Sequence, residues 1–354
     1  MEIDKTKPIL VTGATGYVAG WLVKKLVENG YTVHAAVRNP EKKEKVQHLD
    51  AIAQKGPGEI KYFKTDLLVQ GSYAQAMNGC ELVFHTASPY TIDVKDPQEE
   101  LVDPAVKGTE NVLNQANMTE SVKRVVLTSS CAAIYTDAVE SENAPNGELT
   151  EDIWNTTASL DYQPYFYSKT LAERRAWELT QSQRRWDLVV LNPPGVFGPF
   201  LNPSATTSES FNQIKQLGDG TLKQGVPDIG FGVIDVRDLA DTHMKAGFTS
   251  SASGRYIVRG HNTSFLKMAE ILHQEYGQKF PIPNKKLPKW LLYLVGPLIN
   301  KAITWKFIKN NVNHSWKASN RKVTEELGVK FRPLKETLVD SFQVLVDNKI
   351  VSEK

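Results

Sequence analysis

Tyr165 and Lys169 are the side chains of this sequence whose types and spacing predict chemistry most directly. Residues four apart share one face of a helix, so the two side chains point the same way if the segment is helical. A free tyrosine has a pKa of about 10, and a neighbouring ammonium group lowers that pKa because it stabilises the phenolate. We therefore predict that Tyr165 is a general acid–base group assisted by Lys169.

The segment Thr128-Ser129-Ser130 completes the predicted catalytic set. It ends a short apolar run that predicts a buried strand. We expect the Ser130 hydroxyl to hydrogen-bond a substrate carbonyl and to fix its distance from a hydride donor. Tyr167 is the alternative acid, but the residue four positions later is Leu171 rather than a lysine. The sequence therefore favours Tyr165, and it predicts hydride transfer to a carbonyl.

A glycine turn joins the first predicted strand to a helix in the segment from Val11 to Gly20. One glycine permits the tight turn, a second lets backbone N–H groups approach a pyrophosphate, and the small Ala19 suits helix–strand packing. The alternative, glycines that serve only a turn, does not explain the second strand that follows at the spacing of a dinucleotide site. The predicted cofactor contacts at this turn are Gly13, Thr15, Gly16, Tyr17 and Val18.

The residue after the second predicted strand selects the cofactor. An NAD site places Asp or Glu there to accept the ribose 2′-hydroxyl, whereas this chain has Arg38 and no acid before Glu41. An arginine can bind a 2′-phosphate through two parallel hydrogen bonds, and Lys45 adds charge from the next helix. We predict NADP (NADPH) rather than NAD. The alternative is that Arg38 is a surface cation stacked on the adenine.

Later strand ends supply further predicted cofactor contacts, because ligands bind beyond the carboxyl edge of a parallel sheet. Two residues after the third strand are expected to bracket the adenine, and those after the fourth and fifth strands to line the nicotinamide side, beside Tyr165 and Lys169. The predicted contacts at these strand ends are Asp66, Leu67, Thr86, Ala87, Ser88 and Thr128.

Short β-rich runs alternate with helical patterns through the first two-thirds of the chain. Runs that are buried on both faces and separated by helices predict an α/β fold with a doubly wound parallel (Rossmann) sheet. The helical patterns cover residues 99–118 and 164–182. The predicted strands are 9–11, 32–37, 60–64, 82–86, 124–128 and 188–192.

Glycine and proline become dense after Asn192, which predicts a change of architecture. The run from Val233 to Leu239 indicates a return to the sheet domain. We therefore predict a dinucleotide-binding Rossmann domain of residues 1–192 plus about 230–260. Residues of about 193–229 plus 261–354 are predicted to form a smaller, mainly helical C-terminal substrate lobe with a closing helix.

The bulk properties exclude several classes of protein. The 354 residues carry a net charge of only +2, which gives no argument for a nucleic-acid partner. Two cysteines are too few for a disulfide framework, and no metal site is predicted. The first apolar run is too short for a signal peptide, so we predict a cytoplasmic protein. We also predict a monomer or homodimer. The apolar segment from Trp290 to Ile308 is interrupted by Gly, Pro and Lys residues. These interruptions favour helices of the C-terminal lobe over a membrane-surface contact. They also predict that the segment does not span a membrane.

These motifs resemble the extended short-chain dehydrogenase/reductase superfamily, and within it the dihydroflavonol-4-reductase-like branch with its aldehyde reductases. The resemblance rests on the glycine turn, the Tyr165–Lys169 pair, and the segment from Asn192 to Pro199. It covers residues 8–260 well and the C-terminal lobe loosely. It implies NADPH, a Ser–Tyr–Lys triad and a cleft between the two units. It further implies cofactor contacts at Pro193, Gly195 and Val196.

The chain departs from the plant members of that branch at the substrate side. Plant dihydroflavonol reductases usually carry Asn or Asp where this chain has Tyr135, and cinnamoyl-CoA reductases differ from the segment Gln163 to Tyr167. A small or medium aldehyde or ketone is therefore the predicted substrate. The predicted substrate-side residues are Pro89, Tyr90, Tyr135, Phe166, Pro194 and Phe197.

Three alternatives remain open from the residues. A sugar-nucleotide epimerase or dehydratase that retains NAD would share the glycine turn and the Tyr–Lys pair, although Arg38 and the Cys131 that follows Ser130 argue against it. A non-catalytic dinucleotide sensor would commonly lack the Tyr–Lys pair. A membrane-associated hydroxysteroid dehydrogenase-like enzyme rests only on the apolar segment from Trp290 to Ile308.

Overall fold

The protein was examined as a computed structural model that describes residues 2–88, 94–203, 208–299 and 302–354. The strands are β1 (Ile9–Thr12), β2 (Thr32–Val37), β3 (Glu59–Lys64), β4 (Leu82–His85), β5 (Arg124–Thr128), β6 (Asp187–Asn192), β7 (Gly195–Phe197), β8 (Gly230–Asp235), β9 (Gly254–Ile257) and β10 (His261–Ser264). The helices are α1 (Tyr17–Glu28), α2 (Lys43–Lys55), α3 (Ala74–Met77), α4 (Asp103–Met118), α5 (Val139–Asn143), α6 (Pro164–Gln181), α7 (Glu209–Gly218), α8 (Val236–Phe248), α9 (Phe265–Tyr276), α10 (Lys289–Ile299), α11 (Trp305–Asn311), α12 (Arg321–Leu327) and α13 (Leu334–Asp347).

A seven-stranded parallel sheet in the order β3-β2-β1-β4-β5-β6-β9 is the centre of the first unit. The central strands β1 and β4 are buried along their whole length and mainly apolar, because helices cover both faces. The chain reverses its direction of winding between β1 and β4. The carboxyl ends of these strands therefore open onto the crevice where such sheets bind ligands. The predicted doubly wound fold is confirmed.

A second sheet, in the order β10-β8-β7, lies beside the first. The sequence predicted that the run from Val233 to Leu239 returns to the sheet domain; β8 itself pairs in parallel with β7 and antiparallel with β10. Two prolines, Pro193 and Pro194, separate β6 from β7 and cannot donate ladder hydrogen bonds, so the chain leaves the main sheet there. Only the following elements rejoin the first unit: α8 packs on α1, and β9 pairs with β6.

Five of the C-terminal helices form two smaller apolar cores. One lies among α7, α9 and α13 and contains Ile214, Leu272 and Phe342. The other joins α10 to α11 through Leu292 and Ile308. None of the described helices has the length and apolar character needed to cross a membrane.

Candidate active site

The glycine turn between β1 and α1 forms a tight backbone cradle. Gly13 has φ +65°, a conformation that favours glycine. A Cβ atom at Gly13 would lie 3.1 Å from Ala87 on the neighbouring strand end, and one at Gly16 would lie 3.1 Å from the Gly13 carbonyl oxygen. Side chains at these two positions would therefore crowd the turn, and glycine keeps it tight, as in a pyrophosphate-binding turn.

A cleft of about 1560 Å³ extends from this turn to the first residues of α6. Ligand pockets usually measure about 300–1,000 Å³, so the cleft can hold a dinucleotide together with a second molecule. It brings together most of the residues predicted from the sequence. The predicted residues that line it are Gly13, Thr15, Gly16, Tyr17, Val18, Arg38, Lys45, Thr86, Ser130, Tyr135, Tyr165, Phe166, Pro194, Gly195 and Val196.

One end of the cleft is cationic. Arg38 follows β2, and Lys42 and Lys45 lie at the start of α2, all on the cleft wall. His48 lies one turn further along α2, and burial lowers the pKa of its imidazole. Three cationic side chains at the end of β2 fit an extra phosphate on the ribose better than a bare hydroxyl. His48 was not predicted, although its spacing of three from Lys45 places both on one helix face.

Helix α6, which carries Tyr165 and Lys169, begins beside the cleft. Gln163 precedes it in the left-handed conformation with φ 57°, and Pro164 supplies the first helical residue, a position that proline favours. Tyr165 and Lys169 are then one turn apart, and the Lys169 ammonium nitrogen lies 5.7 Å from the centre of the Tyr165 ring. Tyr167 does not line the cleft, which agrees with the preference for Tyr165.

The environment of Tyr165 differs from the sequence prediction. Burial raises the pKa of its phenol to about 12, and a hydrogen bond with the Ser130 side chain lowers it in part. The sequence predicted that Lys169 lowers the pKa of Tyr165. This is not the dominant effect, because removal of the phenolate from water raises the pKa more than the ammonium lowers it. Burial also lowers the pKa of Lys169 to about 8, while Glu173 raises it. The pair therefore holds a protonated phenol beside an ammonium group near neutral pH.

The loop after β4 is fixed by a buried hydroxyl. The backbone N–H groups of Thr86 and Ala87 donate to the Thr12 side-chain oxygen at 3.1 and 3.0 Å, and that hydroxyl lies 3.0 Å from Nδ1 of His85. Burial lowers the pKa of His85 to about 3, so its ring is neutral. Ser88, at the end of this loop, accepts a 2.8 Å hydrogen bond from the Lys169 ammonium. The network thus orients Lys169 from the sheet.

Glu173 is a site residue whose role was not predicted. Its buried carboxylate accepts hydrogen bonds from Ser129, from Nδ2 of Asn192 at 2.7 Å and from Nε of Arg255 at 2.6 Å. Ser129 directly follows β5 and precedes Ser130, Asn192 is the last residue of β6, and Arg255 lies on β9. Glu173 therefore ties α6, the helix that carries Tyr165 and Lys169, to β6, to β9 and to the segment after β5. Its position four residues after Lys169 was a usable signal, since it lies on the same helix face.

Several predicted contacts do not reach the cleft. Asp66 accepts a hydrogen bond from the backbone of its own loop, and Leu67 packs under α4 against Gly108. Thr128 contacts Nε2 of His243 at 2.7 Å. Of the other predicted contacts, two are buried away from the cleft and two lie outside the described residues. Pro193 is buried beneath the cleft, Phe197 lies in the core of the C-terminal lobe, and Pro89 and Tyr90 lie outside the described residues.

Comparison with known proteins identifies the family. The sequence pattern of the NAD dependent epimerase/dehydratase family matches residues 9–252. The chain belongs to this family. A cinnamoyl-CoA reductase of Medicago truncatula is 40% identical over 285 residues, which cover 79% of this chain and 82% of the relative. A dihydroflavonol 4-reductase of Gerbera hybrida is 31% identical over 297 residues, which cover 81% and 79%.

A solved structure is similar to this chain over almost its whole length. The yeast methylglyoxal/isovaleraldehyde reductase, crystallised with NADPH, is 26% identical and superposes with a TM-score of 0.78 over 97% of this chain and 100% of the yeast protein. The predicted superfamily is therefore confirmed, and so is the prediction of an oxidoreductase. The yeast enzyme carries NADPH, the cofactor predicted here from Arg38.

Proposed function

We propose that this protein is an NADPH-dependent reductase of small or medium aldehydes or ketones, with Tyr165 as the proton donor. The observation that carries the proposal is the hydrogen bond between Tyr165 and Ser130 at the cleft, with Lys169 one helical turn away. The relatives are named as reductases, which supports the same class of reaction.

The residues at the glycine turn and after β2 fit NADPH. The backbone of Gly13 to Gly16 would hold the pyrophosphate, and Arg38 with Lys45 would bind the 2′-phosphate. Lys169 would hold the nicotinamide ribose from the other side. When bound, NADPH supplies a hydride for the carbonyl carbon.

The chain's own residues would then handle the proton and the position of the carbonyl. Ser130 would donate a hydrogen bond to the carbonyl oxygen and fix its distance from the hydride donor. Tyr165 would donate its proton to the same oxygen as negative charge develops there. A phenol whose pKa burial raises to about 12 keeps that proton near neutral pH, which suits the direction of reduction. The adjacent ammonium of Lys169 would stabilise the phenolate that forms.

The wall of the substrate side is mainly apolar. Tyr135 and Phe166 pack edge to face with ring centres 5.9 Å apart, and Pro194 and Phe231 complete this part of the cleft. Such a wall favours a carbonyl substrate with an apolar substituent over a sugar nucleotide. This supports an aldehyde or ketone as the substrate.

A spectrophotometric panel tests the proposal. The purified protein is assayed for oxidation of NADPH and of NADH with aliphatic and aromatic aldehydes, ketones, diketones, cinnamoyl-CoA and a dihydroflavonol. We expect consumption of NADPH with at least one aldehyde or ketone. Tightly bound NAD in the purified protein, together with no consumption of NADPH by any of these carbonyls, would instead support the epimerase alternative.

A further inference from the structure

An apolar stripe on α10 is exposed to solvent. Trp290, Leu294 and Leu298 are 65%, 64% and 86% exposed, and they lie on one helix face because they are four residues apart. Trp305, at the start of α11, is 68% exposed. We name these four residues the α10–α11 surface. Elsewhere in the described chain the large exposed apolar residues are Leu68, Val69 and Met118.

Packing on the opposite side of α10 fixes this orientation. Leu292 is buried against Ile308 of α11. A Cβ atom at Gly296 would lie 2.8 Å from Ile303, so the two segments touch there. The Trp305 indole donates a 3.2 Å hydrogen bond to the Tyr293 carbonyl oxygen. The outward face is therefore held in place by an apolar inner face, and rotation of the helix would expose that inner face instead.

The sequence segment that contains this surface has a strongly asymmetric charge, although Lys279, Lys286 and Arg321 pair with acids outside it. The sequence from Tyr276 to Val323 contains ten Lys or Arg residues and no Asp or Glu. Since the whole chain has a net charge of +2, the remainder carries a net charge of −8. Lys285 and Lys309 are exposed in this basic segment. An exposed apolar stripe within a basic segment is complementary to a surface that is apolar inside and anionic at its rim.

We propose that the α10–α11 surface docks on an anionic phospholipid bilayer. Two tryptophans with leucines between them suit the boundary of headgroups and acyl chains, and lysines suit anionic headgroups. The 11 residues of α10 rise about 1.5 Å each, which is too short to cross a core of about 30 Å. The helix therefore lies on the bilayer and does not span it.

Docking there would bring the bilayer close to the cleft. Ala302, in the connection between α10 and α11, lines the cleft that contains Tyr165. An apolar carbonyl compound dissolved in the bilayer would then reach the site by a short path. This consequence rests on the proposed function, whereas docking itself does not and is tested without any measurement of activity.

Vesicle flotation with the full-length protein tests the docking. We expect recovery with vesicles of phosphatidylcholine and phosphatidylserine and little recovery with phosphatidylcholine alone. Leu294→Glu and the double variant Lys285→Glu/Lys309→Glu should each weaken binding about tenfold or more. Matched controls at exposed positions elsewhere, Met118→Glu and Lys55→Glu/Lys330→Glu, should bind like the parent.

Quenching by brominated lipid locates the contact. Tryptophan fluorescence of the parent should fall with brominated anionic vesicles, and the variant Trp290→Phe/Trp305→Phe should lose most of that change. Circular dichroism and the melting temperature confirm that each variant is folded. Absence of flotation by the parent, or full flotation of Leu294→Glu, would overturn the proposal. A dimer that Leu294→Glu dissociates would also overturn it, because the occupant would then be a second copy of the chain.

Discussion

The ammonium group of Lys169 and the hydroxyl of Ser88 are joined by a 2.8 Å hydrogen bond. Lys169 lies on the helix that carries Tyr165, whereas Ser88 ends the loop after β4, which the buried Thr12 hydroxyl holds in place. The bond therefore links the helix that carries Tyr165, the proposed proton donor, to the strand end at the cleft. It positions a charged group in surroundings that burial makes unfavourable for charge.

The rate of reduction should depend on the charge of Lys169. Burial lowers the pKa of this group to about 8, so the ammonium form dominates below that pH and is lost as the pH rises through it. We expect kcat for the reduction of a neutral aldehyde to fall above about pH 8. A pH profile at saturating NADPH measures this, with the melting temperature followed over the same range as a control. A constant kcat up to pH 10 or so would contradict the role given to the ammonium group.

Lys169→Met should lose activity and gain stability. Burial favours the neutral amine in the folded state, so the charged form destabilises the fold fully below about pH 8, and this effect fades as the pH rises towards the ordinary lysine value of 10.5. At pH 7 the free energy of unfolding of the variant should be higher by about 1–3 kcal/mol. This net gain already allows for the stabilisation that is lost with the hydrogen bond to Ser88. Denaturant unfolding measures this. Lys309→Met, at an exposed position, should leave stability nearly unchanged, and a destabilised Lys169→Met would contradict the account.

Glu173→Gln should destabilise the protein and slow the reaction. The carboxylate pairs with the buried Arg255 at 2.6 Å, and removing its charge leaves a buried cation without its partner. We expect a loss of about 3 kcal/mol in the free energy of unfolding. Because Glu173 acts through Ser129 and not on the substrate, kcat should fall while KM changes little. Glu178→Gln on the exposed side of α6 is the control and should cost less than about 1 kcal/mol; equal losses in the two variants would refute the role.

Arg38→Asp should change the choice of cofactor. The substitution removes the guanidinium proposed to bind the 2′-phosphate and places an acceptor where the ribose 2′-hydroxyl of NADH would lie. The ratio of kcat/KM for NADPH to that for NADH should fall about 10- to 100-fold. Steady-state kinetics with both cofactors measure the ratio. Lys309→Asp makes the same charge change at a remote exposed position and should leave it unaltered; an unchanged ratio in Arg38→Asp would mean that Arg38 does not bind the phosphate.

The sequence predicted most of the sheet and the pairing of Tyr165 with Lys169, because both depend on local periodicity. The sequence did not predict which of two neighbouring residues on β7 faces the cleft: Val196 lines it, whereas Phe197 faces the core. Side chains alternate along a strand, so the two could not share a face, but only the packing shows which one points to the cleft. The raised pKa of Tyr165 was equally inaccessible, since burial depends on residues distant in the sequence.

The most direct test of the central claim is single-turnover reduction by Tyr165→Phe, which removes one oxygen atom and leaves Ser130 and Lys169 in place. With a carbonyl substrate identified for the parent, we expect NADPH to bind normally while the rate of NADPH oxidation falls about 10²- to 10⁴-fold. The neighbouring Tyr167→Phe serves as the control and should retain the parent rate. A Tyr165→Phe enzyme that reduces the same carbonyl at the parent rate would contradict the account.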